Sequence, residues 1–70
     1  MGRIADALHD YDQAIALEPG VADYYVNRGA MRIAAKRYED AIRDYDRVIA
    51  LIEALKAMVA RQRRQAASRN

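Results

Sequence analysis

Apolar side chains recur along this chain every three or four residues, which is the spacing of amphipathic α-helices. The first such stripe spans residues 3–17 and stops at Pro19, because proline cannot continue a helical ladder. A second helical pattern covers residues 22–35. A third begins at Tyr38 and meets no proline or glycine before the end of the chain. The pattern predicts an all-α protein, a single domain over residues 1–70, with helices at about residues 3–17, 22–35 and 38–67.

The first and third helical segments repeat one another. Residues 3–17 align with residues 37–51 at an offset of 34 residues without a gap, and nine of the fifteen aligned positions are identical. A fixed period in this range is typical of stacked helical hairpins, which cannot bury their apolar faces singly. The repeat therefore indicates a protein that works by contact with a partner.

Gly29 stands in the interior of the second helix, where glycine costs about 1 kcal/mol relative to alanine. Tyr25, Gly29 and Ile33 lie four residues apart on one face. We interpret Gly29 as a point of close approach by a neighbouring helix, which a side chain would block.

The third helix continues where the repeat should end. The residue 34 positions after Pro19 is Glu53, so we expect one continuous helix to about residue 67, roughly 45 Å long. Its apolar residues keep a seven-residue repeat, the pattern of a helix seam, and nothing later in the sequence covers them. We expect a second copy of the chain to do so. The predicted self-association seam comprises Val48, Ile52, Leu55, Met58 and Val59 on the third helix, with Ile4, Leu8, Tyr11 and Ile15 on the first.

The same residues resemble the tetratricopeptide repeat, a helix–turn–helix unit of 34 residues. Tyr38, Ala41, Tyr45 and Leu51 are similar to the family's second-helix positions, and Ala7, Tyr11, Ala14 and Pro19 match them one repeat earlier. The resemblance implies a three-helix array of the α-solenoid type, about one and a half repeats long, with a helical extension. Arg32 departs from the family pattern, which favours an aromatic residue there.

Members of this family usually bind peptide segments of other proteins in a groove. By analogy, the groove-lining face of the second helix would comprise Asp23, Val26, Asn27, Ala30, Ile33 and Ala34. Packing of this face on another helix is the interpretation that we favour, because apolar helical stripes are more often core than ligand site.

Catalytic and metal chemistry find little support in the sequence. The chain has no cysteine and a single histidine, His9, so neither a thiolate site nor a histidine cluster can form within one copy. The two Asp-Tyr-Asp triplets hold their acids about 200° apart on a helix, and we interpret them as solvated flanks of a buried tyrosine. We expect no enzymatic activity and no cofactor.

Charge is divided unevenly along the chain. Residues 1–53 carry seven basic and ten acidic side chains, whereas residues 54–70 carry five basic and no acidic ones. The basic tail comprises Arg61, Arg63, Arg64 and Arg69. It suits a solvated helix end or docking on the acidic body of a second copy; without interleaved aromatic residues, it is weak support for nucleic-acid binding.

We therefore expect a non-enzymatic self-assembly module, a homodimer through the seam of the third helix. Two alternatives stay open: an adaptor of the tetratricopeptide type that binds a peptide or helix of another protein, and a nucleic-acid contact by the basic tail. No apolar run approaches the roughly 20 residues of a membrane span, so we expect a cytoplasmic protein. A start in mid-repeat at Met1-Gly2 also fits an excised or engineered piece of a longer array.

Overall fold

The computed structural model describes residues 2–68, and this part of the chain consists of three α-helices joined by two short turns. The helices are α1 (Gly2–Leu17), α2 (Ala22–Ala34) and α3 (Tyr38–Ser68). The expectation of an all-α chain with three helices is confirmed, since the described residues contain no strand. The predicted tail residue Arg69 lies outside them.

Two tyrosine hydroxyls anchor α2 to the turn that precedes it. The Tyr25 hydroxyl donates a hydrogen bond to the carbonyl oxygen of Pro19 at 2.7 Å, and the Tyr24 hydroxyl donates to Glu18 Oε1 at 3.1 Å. The hydrogen bond to Glu18, together with the negative charge of that carboxylate, raises the pKa of Tyr24 above its ordinary value. The turn at Pro19 is thus fastened to the first residues of the next helix.

The turn between α2 and α3 is a Schellman motif without glycine. The Lys36 amide donates to the carbonyl of Ile33 at 2.9 Å, and the Arg37 amide donates to the carbonyl of Arg32 at 2.7 Å. Lys36 has φ 64°, in the left-handed region that normally favours glycine. The chain therefore makes this tight reversal with a residue poorly suited to it.

α2 is the central helix, in contact with α1 on one side and α3 on the other. Tyr25 and Gly29 of α2 are buried, as are Ala41 and Asp44 of α3. A Cβ atom placed on Gly29 would lie 3.0 Å from Tyr45 Cζ, so the expected close approach at Gly29 is confirmed. Ile33 is 44% exposed and does not share the burial of Tyr25 and Gly29.

α3 runs without a break through Glu53 and extends well beyond the other two helices. The described chain measures 58 × 22 × 12 Å, and α3 gives it its length. Past Leu51, every described residue of α3 is exposed. The second half of α3 therefore projects away from the packed helices.

Candidate interaction site

A buried ion network holds α3 in its position against α2. Asp44 is only 2% exposed, and its carboxylate accepts hydrogen bonds from two arginines of α2. Arg28 donates through Nε at 3.1 Å and Nη2 at 2.7 Å, while Arg32 donates through Nη1 at 2.9 Å. Because every donor is charged and well placed, the network offsets much of the cost of burying a carboxylate.

Arg28 also bonds to α1. Its Nη1 donates to Asp12 Oδ1 of α1 at 2.8 Å, so one guanidinium contacts all three helices. Its guanidinium carbon lies 5.7 Å from the centroid of the Tyr25 ring, within the range of a cation–π contact. The hydrogen bond to Asp44 is the main cause that raises the pKa of Arg28, so this residue stays charged at any physiological pH.

The interpretation of Asp44 as a solvated flank of a buried tyrosine is wrong. Asp44 is the more buried residue, and Tyr45 is half-buried beside Gly29. Helical geometry does separate the two acids of the triplet, since Asp46 is exposed. Two features of the sequence could have indicated the network. Arg28 and Arg32 are spaced four residues apart on one helix, and Arg32 stands where the resemblance to the tetratricopeptide repeat implied an aromatic residue.

Beyond the network, α3 presents an open apolar surface. Four of the five seam residues on α3 are exposed. The exposed fractions are 43% for Ile52, 55% for Leu55, 50% for Met58 and 37% for Val59. The fifth, Val48, is half-buried. Part of this surface forms a shallow groove between α3 and the start of α2, lined by Ile52, Leu55 and Met58 together with Gly20 and Ala22.

The seam residues predicted on α1 are more enclosed. Ile4, Leu8, Tyr11 and Ile15 are all half-buried. Because α2 is the only helix that contacts α1 among the described residues, their burial comes from α2. The two parts of the predicted seam therefore differ, and the larger open area belongs to α3.

The outward face of α2 is open along its length. Each of the six residues expected to line a groove is exposed, and Val26 and Ile33 are the large apolar ones, at 38% and 44%. No helix within residues 2–68 covers this face, so the packing on another helix that we favoured from the sequence stays a prediction. The residues of the open face are Asp23, Val26, Asn27, Ala30, Ile33 and Ala34.

The charged residues of α3 separate into two halves. Arg37, in the turn before α3, donates a hydrogen bond from Nε to Asp40 Oδ2 at 2.9 Å. This hydrogen bond is the main cause that holds the pKa of Asp40 below its ordinary value. Arg61, Arg63 and Arg64 are exposed and make no ion pair within residues 2–68. The projecting end of α3 therefore combines an apolar stripe with unneutralised positive charge.

Within residues 2–68, no group of three or more His, Asp or Glu side chains is placed to hold a metal ion. None of the described helices is long and apolar enough to cross a membrane.

Comparison of the chain with protein-family models, curated proteins and solved structures gives no match.

Proposed function

We propose that this protein is a non-enzymatic self-association module that homodimerises through the apolar seam of α3. The observation that carries the proposal is the exposure of Ile52, Leu55, Met58 and Val59 on a helix that projects beyond its neighbours. Full burial of such a side chain is worth about 1.5–3 kcal/mol relative to exposure. A second copy would supply an equally apolar surface, so association removes four side chains of each copy from water.

The small size of the chain favours the same conclusion. Only Tyr25 and Ala41 form the buried apolar core of the described residues. A domain of 70 residues with so small a core gains little stability from its own packing, and oligomerisation is one of the few remedies for a chain without cysteine. Dimerisation would thus stabilise the fold as well as cover the seam.

We further propose that the three helices are arranged as in the tetratricopeptide repeat. Support comes from the 34-residue repeat, from the central position of α2 between α1 and α3, and from the close contact between Gly29 and Tyr45. A second candidate function follows from this arrangement. The open face of α2 would then be the surface on which a peptide or helix of another protein binds, and its exposed Val26 and Ile33 favour an apolar ligand.

The test is the molar mass in solution, measured by light scattering coupled to size exclusion. We expect twice the chain mass of 7.9 kDa for the unaltered protein and a monomer or unfolded chain for the double variant Leu55→Asp/Val59→Asp. The matched control is Ala50→Asp/Ala57→Asp, which adds the same charge on the opposite side of α3 and should stay dimeric. A folded monomer for the unaltered protein would contradict self-association and favour the peptide-binding function.

A further inference from the structure

α3 carries a second apolar stripe that shares Ile52 and Val59 with the seam and is displaced to one side of it at Ile42 and Ile49. Ala41 lies seven residues before Val48 and so continues the line of the seam toward the start of α3. Ala41 is 2% exposed and Val48 is half-buried, so the first half of that line is already occupied within one copy. The displaced stripe, which we call the lateral stripe, is exposed along its length except at Tyr45, which is half-buried. Its apolar members are 57%, 58%, 43% and 37% exposed, in the order Ile42, Ile49, Ile52 and Val59.

The lateral stripe has the spacing of a coiled-coil core. Ile42, Tyr45, Ile49 and Ile52 are separated by three, four and three residues, and the series continues through Lys56, Val59 and Arg63. Its first half is therefore apolar and its second half carries two cations at core positions. A cation at such a position costs stability unless the facing helix supplies an acid or an aromatic ring.

The acidic side chains that could pair with these cations lie beside the first half of the lateral stripe. Glu39, Asp46 and Glu53 are seven residues apart, so all three flank the lateral stripe on one side, and all three are exposed. Residues 38–53 carry five acidic and two basic side chains, whereas residues 54–68 carry four basic and no acidic ones. The helix is thus negative at one end and positive at the other.

We propose that two copies pair their α3 helices antiparallel along the lateral stripe, a conclusion that rests on the proposed self-association. The register that joins apolar to apolar residues places Ile42 against Val59 of the second copy, and Ile49 against its Ile52. In the same register Arg63 lies beside Tyr38 and Glu39 of the second copy. Lys56 then lies beside Tyr45 and Asp46 of that copy.

A parallel pair would be unfavourable for the same residues. It would set Lys56 against Lys56 and Arg63 against Arg63, with no acid within the positive half to neutralise them. Within one copy, Lys56 approaches Glu53 at 3.6 Å, but both side chains are about two-thirds exposed, and such surface pairs contribute little. Antiparallel pairing exchanges this weak contact for acids of the facing helix.

Disulfide trapping tests the orientation, because the chain has no cysteine of its own. Ile42→Cys chains are mixed with Val59→Cys chains under oxidising conditions, and the products are identified by mass. We expect the mixed disulfide to dominate, while either variant alone stays uncrosslinked, since its own cysteines would lie roughly 25 Å apart in the antiparallel pair.

A charge exchange tests the register without relying on cysteine chemistry. Arg63→Glu alone and Glu39→Arg alone should each weaken the dimer at least tenfold, because each places like charges opposite one another. An equal mixture of the two variants should restore the dimer. Arg61→Glu makes the same charge change away from the lateral stripe, and we expect less than a twofold effect.

The outcomes separate this inference from the proposed function. A dimer by light scattering with mixed disulfides and restored affinity in the mixture supports the antiparallel lateral stripe. A dimer in which each cysteine variant crosslinks to itself overturns this inference but not the proposed self-association. The same holds for a dimer in which no cysteine pair crosslinks and the mixture of Arg63→Glu and Glu39→Arg chains associates as weakly as either variant alone. A monomer at all concentrations overturns both.

Discussion

Asp44 and the two arginines that bind it concentrate charge at a single point between α2 and α3. The carboxylate is 2% exposed, whereas the side chains of Arg28 and Arg32 are 15% and 17% exposed. A carboxyl so placed is tolerated because two arginines bond to it, since an unpaired buried charge is strongly unfavourable. Orientation of α3 relative to α2 is therefore fixed by charge pairing at Asp44 as well as by apolar contact.

Replacement of Asp44 should destabilise the fold far more than replacement of its repeat counterpart. We expect Asp44→Asn to lower the free energy of unfolding by about 3 kcal/mol, since it leaves two arginines without their carboxylate. Asp10 occupies the equivalent position 34 residues earlier and is exposed, so Asp10→Asn should change stability by less than about 0.5 kcal/mol. Urea denaturation at equal protein concentration measures both, and equal effects would contradict a structural role for the network.

Lys36 adopts a left-handed backbone conformation that costs a side-chain-bearing residue about 1 kcal/mol or more. We expect Lys36→Gly to raise the free energy of unfolding by roughly that amount, because glycine adopts this conformation freely. Ala57→Gly is the control, since glycine within α3 should lower stability by about 1 kcal/mol. Thermal denaturation followed by circular dichroism reports both, and a loss of stability at Lys36→Gly would contradict the assigned turn.

At the scale of the helices, the contact between α2 and α3 depends on the missing side chain of Gly29. A Cβ atom there would meet Tyr45 Cζ at 3.0 Å and Cε2 at 3.2 Å, closer than ordinary van der Waals contact. In Gly29→Ala, the gain in helix propensity and the cost of this overlap are both of order 1 kcal/mol. Whether the substitution stabilises or destabilises the fold therefore depends on how far the Tyr45 ring can shift.

We expect Gly29→Ala to lower the free energy of unfolding by about 1 kcal/mol, because the added methyl group overlaps the Tyr45 ring. In a Tyr45→Leu background the same substitution should be neutral or stabilising, since the overlapping ring atoms are gone. A double-mutant cycle from chemical denaturation measures this coupling. Equal effects of Gly29→Ala in both backgrounds would show that the ring does not limit the approach.

The helices also show how far the sequence could be read in advance. Periodicity, Pro19 and the absence of a break at Glu53 predicted three helices and the long third one, since these signals act within a few residues of their own position. The burial of Asp44 could not be predicted from such local signals. Its two bonding partners lie 12 and 16 residues away, and only the packing of α2 on α3 brings them together.

For the molecule as a whole, the proposed dimer couples folding to concentration. Each copy exposes ten large apolar side chains within residues 2–68, of which seven lie on α3. If association covers part of this surface, the native state is favoured by mass action as the protein concentration rises.

We therefore expect the Tm of the unaltered chain to rise by several degrees over a hundredfold increase in concentration. The Leu55→Asp/Val59→Asp variant should show no such dependence, whether it folds alone or not. Differential scanning calorimetry across that range supplies the measurement. A Tm independent of concentration in the unaltered chain, with a monomeric mass, would contradict coupled folding and association.

The sequence by itself determined the helical class, the 34-residue repeat, the unbroken third helix and the division of charge along it, because these are properties of residue order and local spacing. Tertiary structure alone decided which of the two apolar stripes is open along the first half of α3. The two stripes overlap in sequence and are equally periodic, but α2 covers Ala41 and leaves Ile42 exposed. The physical reason is that periodicity specifies the faces of a helix, whereas occupation of a face depends on where a separate helix lies.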